Sequence, residues 1–180
     1  MKKITNIIVI AIFVLYCIVL VYVTFFGAGR ATVWGNVSIW DYAVRMANIH
    51  PFKTIGMYVK MLNPSHPMFA VAVINLVVNF ILLYPMGFFL PVLFKKMRNF
   101  FATIGVCTLV LLVIEVMQLL TKRGSFDVDD FILNLTGAAL GFVIWLIEDK
   151  LTQKRKKKKA APRNNDSDAQ LFVDKNNDYL

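Results

Sequence analysis

The chain has 180 residues, of which 58% are apolar, 13% aromatic and 17% charged. Soluble domains average about 45–50% apolar and about 25% charged residues, so the composition argues against a soluble enzyme, a wholly disordered chain and a disulfide-stapled secreted domain. Of the net charge of +9, +5 falls in residues 150–180, where nine Lys/Arg meet four Asp; the chain divides into a small membrane domain, 1–149, and a polybasic, disordered tail, 150–180.

A spanning helix needs about 20 mostly apolar residues, because the hydrocarbon core is about 30 Å thick and each residue rises about 1.5 Å. Four segments qualify. Residues 7–26 carry no charge, and residues 68–94 carry none and are long enough to tilt or kink. Residues 101–120 carry only Glu115, and residues 131–147 are uncharged but short, with Asp129 and Asp130 at their start. Lipid leaves backbone groups no other partners, so each segment predicts an α-helix. The fold class is all-α: a polytopic transmembrane helical bundle of about four spanning helices. The first segment follows Lys2 and Lys3, as a signal peptide would. Its apolar run is too long for one and no small-residue cleavage site follows, so it is read as a retained anchor.

Fourteen Lys/Arg then lie on the side of the termini and six on the other. The positive-inside rule places both termini in the cytoplasm of a multi-pass protein of the cell membrane. In the external loop 27–67, Phe52, Ile55, Val59 and Leu62 recur at helical spacing, with Lys53 and Lys60 elsewhere. This predicts an interfacial amphipathic helix, with Trp34 and Trp40 at headgroup level. The run Lys154–Lys159 is read either as a topology anchor or as a site for anionic inner-leaflet lipid, worth about 1 kcal/mol per basic residue near the surface. No folded module accompanies it, so nucleic acid is not an expected partner.

Polar residues inside the spans carry the chemistry. Asn75 and Asn79 share a face of the second span, and Glu115 and Gln118 share a face of the third. In the fourth, Asn134 lies on the stripe of Gly137, Ala138 and Gly141, a spacing that lets a neighbouring backbone approach closely. At about 1.5 Å per residue, Asn75 lies roughly 10 Å deep, Asn79 roughly 16 Å, Glu115 and Asn134 roughly 9 Å and Gln118 roughly 5 Å. Three helices thus place polar groups in the outer half of the membrane. Interhelical hydrogen bonding is one reading; a pocket, with Arg123 as the cation offsetting Glu115, is the other. Asp127, Asp129 and Asp130 open the fourth span; capping by Asp129 and Asp130 is the plainer reading of this turn, and three acids alone are a weak metal signal. Pro85 and Pro91 predict a kink that either opens space beneath the polar residues or serves packing. Cys17 and Cys107 read as apolar packing, and His50 and His66 lack a ligand set. No metal or cofactor is expected.

Three blocks then stand in order: Asn48-Ile-His-Pro-Phe-Lys-Thr-Ile55; Asn79-Phe-Ile-Leu-Leu-Tyr-Pro-Met-Gly-Phe-Phe-Leu-Pro91; and Glu115-Val-Met-Gln118 followed by Arg123, Asp127, Asp130, Asn134, Gly137 and Gly141. Together they resemble the VanZ-like family of small bacterial membrane proteins. The resemblance implies about four transmembrane helices and an association with glycopeptide resistance, chiefly to teicoplanin, in Gram-positive envelopes.

The expected function is binding of an envelope lipid or lipid-linked cell-wall intermediate in a polar pocket of the outer leaflet. Asn79, Glu115, Gln118, Arg123, Asp127, Asp130 and Asn134 line it, and Pro51 and Phe52 form a flap. Two alternatives use the same chain: a membrane-embedded hydrolase or transferase with Glu115 or Asp127 as general acid or base, and a scaffold recruiting a partner.

Overall fold

The computed structural model describes residues 2–27 and 37–160, with side chains over 6–27 and 37–158. Trp34 and the tail beyond residue 160 lie outside the described residues. Seven α-helices follow in order: α1 Lys2–Phe26, α2 Ile39–Met46, α3 Lys53–Lys60, α4 Phe69–Leu82, α5 Tyr84–Leu93, α6 Phe100–Leu120 and α7 Val128–Ala160. A 3-10 turn, Lys95–Arg98, links α5 to α6. Extended pairing among the described residues is limited to an isolated parallel bridge between Asn48 and Asp127. Four stretches are long and apolar enough to cross a membrane: Asn6–Phe26, Phe69–Leu93, Phe100–Leu120 and Val128–Lys158. The all-α architecture of spanning helices follows, with α3 as the short helix expected in the loop. The loop also contains α2, which apolar periodicity alone does not reveal; Ser38 starts it by accepting the Asp41 amide at 3.1 Å.

The last span differs from its sequence expectation at both ends. It opens at Val128 because Asp127 caps it: the Asp127 carboxylate accepts the Asp129 amide at 2.9 Å and its carbonyl accepts the Asp130 amide at 3.1 Å. Asp129 and Asp130 therefore sit inside the first turn, where negative charge suits the helix dipole. At the other end, charge stops the apolar run but not the helix. Glu, Lys, Gln and Arg are good helix formers, and α7 continues to Ala160. The reading of 150–180 as disordered is corrected for residues 150–160. By packing, Met1–Leu146 forms one unit and Ile147–Leu180 a second.

The core of the first unit joins Leu20 of α1, Leu83, Met86 and Leu90 at and within α5, Cys107, Leu111 and Ile114 of α6, and Ala138 of α7. On α6, the buried positions Thr103, Cys107, Leu111, Ile114, Glu115 and Gln118 recur every three or four residues along one face. Leu109, Val113, Val116 and Leu120 are exposed elsewhere on the helix, as expected where lipid is the solvent. Glu115 and Gln118 thus occupy inward positions.

The second span breaks at Leu83, two residues before Pro85, whose missing N–H interrupts the helical ladder. The carbonyl of Leu82, at the break, accepts the Tyr16 hydroxyl of α1 at 2.8 Å. Beside the break, α7 comes into backbone contact. A Cβ on Gly137 would overlap the carbonyl oxygen of Phe80, one on Gly141 that of Tyr84, and one on Gly87 that of Ala138. Three glycines from two spans make this approach possible, so the kinked span serves packing here. Gly137→Val should force the backbones apart and cost at least the roughly 1–3 kcal/mol typical of overpacking, whereas Gly105→Ala, where a Cβ meets nothing within 4 Å, should hold stability or raise it by up to about 1 kcal/mol. Reversible unfolding in detergent measures both.

Candidate functional site

The turn after α6 sets the geometry. Thr121 closes the helix and Lys122 takes a left-handed conformation, φ 52°. The Lys122 amide donates to Leu119 O at 3.1 Å and the Arg123 amide to Gln118 O at 2.9 Å, a closing pair that ordinarily selects glycine. Lys122 is held there by its ammonium, which donates to Val37 O. The Tyr42 hydroxyl of α2 donates to Gly124 O at 2.7 Å, packing α2 onto the same turn.

Two of the expected pocket residues serve α1. Gln118 Nε2 donates to Thr24 O at 2.9 Å, and Arg123 Nη1 donates to Phe25 O at 3.0 Å. These are carbonyls of the last turn of α1, which lack partners within the helix. The Arg123 guanidinium also lies over the Phe26 ring, 5.1 Å from its centre. Gln118 and Arg123 therefore join the ends of α6 and α1. Glu115, 3% exposed, lies on the inward face of α6.

The acids of the α6–α7 turn fasten the loop between α1 and α4. Asn48 pairs along the backbone: its amide donates to Phe126 O at 2.7 Å and its carbonyl accepts the Val128 amide at 3.0 Å. Asp127 Oδ1 accepts from Asn48 Nδ2 at 3.0 Å as well as from the Asp129 amide, and Oδ2 accepts from the Thr54 hydroxyl at 2.6 Å. A carboxylate with three donors on two oxygens is an anchor. Asp129 has no exposed surface; it accepts the amides of Phe52 and Ile55 at 2.5 and 2.9 Å. These open α3, whose own cap position, Phe52, has no side-chain oxygen to offer. Asp129 is thus the cap of a helix 74 residues upstream of it, reckoned to Ile55. Phe52 adopts the left-handed conformation, φ 63°, with its amide fastened and its ring 65% exposed. Pro51 beside it is exposed. The expected flap is therefore pinned through its backbone.

Below this latch lies a second polar group, within the spans. Asn79 Nδ2 of α4 donates to Asp130 Oδ1, and Asn134 Nδ2 donates to Asp130 O at 2.8 Å. Tyr58 of α3 joins them: burial first, then the charges of Asp130 and Asp127, raise its hydroxyl above the ordinary value of 10.0. It is a hydrogen-bond donor at neutral pH. Asn134 is 1% exposed, and its Oδ1 has no hydrogen-bond partner among the described residues. Asn75, by contrast, bonds back to Val71 O at 2.8 Å within its own helix.

The structure joins Asn79, Asp130 and Asn134 in one hydrogen-bonded group and sets Asp127 against Thr54 of α3. It adds Asn48, Thr54 and Tyr58, which periodicity does not single out. Asn48 and Thr54 stand in the first of the three sequence blocks, but only the folded turn shows that acids face them. No group of three or more His, Cys, Asp or Glu among the described residues is arranged to hold a metal ion.

Asp129→Ala should remove two charge-assisted bonds, each worth about 1.5–3 kcal/mol, and free α3. Hydrogen exchange should quicken at Phe52 and Ile55 and stay slow along α6; unchanged protection at Ile55 would contradict the capping role. For Tyr58, the neutral form stabilises α3 fully below pH 10.0, and this contribution is lost as pH rises through the elevated folded value. A phenolate titration of wild type minus Tyr58→Phe should show a group ionising above pH 10.0, accompanied by a fall in thermal midpoint confined to wild type.

No curated protein matches the chain, and no solved structure does. The family model described as VanZ/LLP1 matches residues 13–148. That stretch includes the core, the latch and the polar group beneath it, and the chain belongs to the VanZ-like family.

Proposed function

We propose that this VanZ-like membrane protein binds the polar part of an envelope lipid, with a lipid-linked cell-wall intermediate as the best fit. The observation that carries the reading is the buried Asn134 Oδ1, which has no donor among the described residues. It lies one helical turn beyond Asp130, which Asn79 holds. A buried acceptor without a partner costs about 1–3 kcal/mol, so its persistence favours a ligand that supplies the donor. Sugar hydroxyls and peptide amides do so, and lipid-linked precursors are rich in both. Tyr58 adds a donor of its own, and α3 lies over the group.

The Lys/Arg distribution supports termini in the cytoplasm, which puts the latch and α3 on the outer side, where exposed precursors are found. Sequestering or reshaping such a precursor would reduce glycopeptide action, a route to teicoplanin resistance. On the cytoplasmic side, the basic stretch of α7 suits anionic inner-leaflet lipid.

Asn134→Leu tests the reading. It removes an unpaired acceptor and keeps the branched outline of the side chain, so unfolding stability should hold or rise. Binding of a lipid-linked disaccharide-peptide to the protein in nanodiscs should weaken about tenfold, the effect of about 1.4 kcal/mol. Lower stability with unchanged binding would show that Asn134 only joins helices.

A further inference from the structure

The helix α3 has a second working face. Thr54 and Tyr58 turn toward the acids of the latch. Lys53, Gly56 and Lys60 point away from them, since each residue advances about 100°, and Met57 sits at the edge between the two faces. There they line, with Met61 and His66, an open groove of about 520 Å³.

Its chemistry is cationic. Lys53 and Lys60 are seven residues apart, two turns along one face, and neither ammonium has a hydrogen-bond or ion-pair partner among the described residues. No carboxylate lines the groove. His66 Nδ1 accepts the Met68 amide at 3.1 Å, so in the neutral ring the hydrogen is on Nε2, a third donor. The floor is open: a Cβ on Gly56 would meet nothing within 4 Å.

Its level is that of a membrane boundary. His66 stands three residues before Phe69, where the second apolar span begins. Met57, Val59, Leu62 and Met68 are large apolar residues left exposed around it, the pattern of an interfacial helix. Cationic donors beside exposed apolar side chains, at headgroup depth, complement one kind of occupant: a phosphate carried on acyl chains.

We propose that this groove binds the phosphate of an anionic phospholipid from the leaflet in which α3 lies. The site is separate from the Asn134 group and does not depend on the ligand proposed for it. Lys53 and Lys60 supply charge, His66 donates through Nε2, and Met57 and Met61 contact the glycerol and upper acyl region.

The test uses the full chain in nanodiscs of phosphatidylcholine containing a minority of phosphatidylglycerol with a photoreactive headgroup. Peptide mapping of the cross-links should place label within residues 53–66. Lys53→Gln with Lys60→Gln should lower that label about thirtyfold, as expected for two basic residues at the surface. Gly56→Trp, which fills the groove where space is open, should lower it comparably while helicity and thermal midpoint stay at wild-type values. Asn134→Leu should leave the label unchanged, which separates this site from the one beneath α3. Label confined to residues beyond 149, or label at 53–66 that survives both groove variants, would overturn the proposal. Competition by millimolar inorganic phosphate equal to that by phosphatidylglycerol would assign the groove to a free anion and overturn the lipid assignment.

Discussion

A carboxylate with no exposed surface has to be surrounded by donors, and Asp129 finds two of them in the backbone of the loop between α1 and α4. Much of the loop side of the molecule follows from that demand. The amides of Phe52 and Ile55 are the groups that the first turn of α3 leaves unpaired. Asp129 and α3 therefore solve each other's hydrogen-bonding problem. Asp127, one bridge away, does the same for Asn48 and Thr54 while starting α7. One short acidic turn thus starts two helices, of which one, α7, is long and apolar enough to cross a membrane and the other is the short α3.

The same economy governs the bundle. In hydrocarbon there is no water to satisfy a carbonyl at a helix end or a proline break. Gln118 and Arg123 take the last carbonyls of α1, and Tyr16 takes the carbonyl at the α4–α5 break. With hydrophobic attraction between helices absent in lipid, contact relies on close packing, which Gly87, Gly137 and Gly141 supply by letting backbones meet. Against this pairing, Asn134 Oδ1, which has no partner among the described residues, is an exception of the kind that calls for an explanation.

Much of the architecture was legible in the sequence because the bilayer reduces it to apolar length. The inward placement of Glu115, Gln118 and Asn134 was legible too, since hydrophilic side chains on a membrane helix turn from lipid. Four things were not. The length of α7 was hidden because charge marks the edge of a span and says nothing about where helical hydrogen bonding stops. The short α2 has a cap at Ser38 but too few residues for periodicity to register. The partners of Arg123 were hidden because they depend on the left-handed turn at Lys122, a conformation that a sequence reader assigns to glycine. The assignment of the acids likewise required the tertiary fold: Asp129 looks like a cap for its own helix and proves to be the cap of another.

The left-handed backbone at Phe52 has a consequence for how the loop side responds to perturbation. A residue with a Cβ held at positive φ is strained by about 1–2 kcal/mol, and Asp129 is what holds it. The two bonds to Asp129, each worth about 1.5–3 kcal/mol, outweigh that strain and hold the joint shut; if they are lost, the strain is relieved at this one residue.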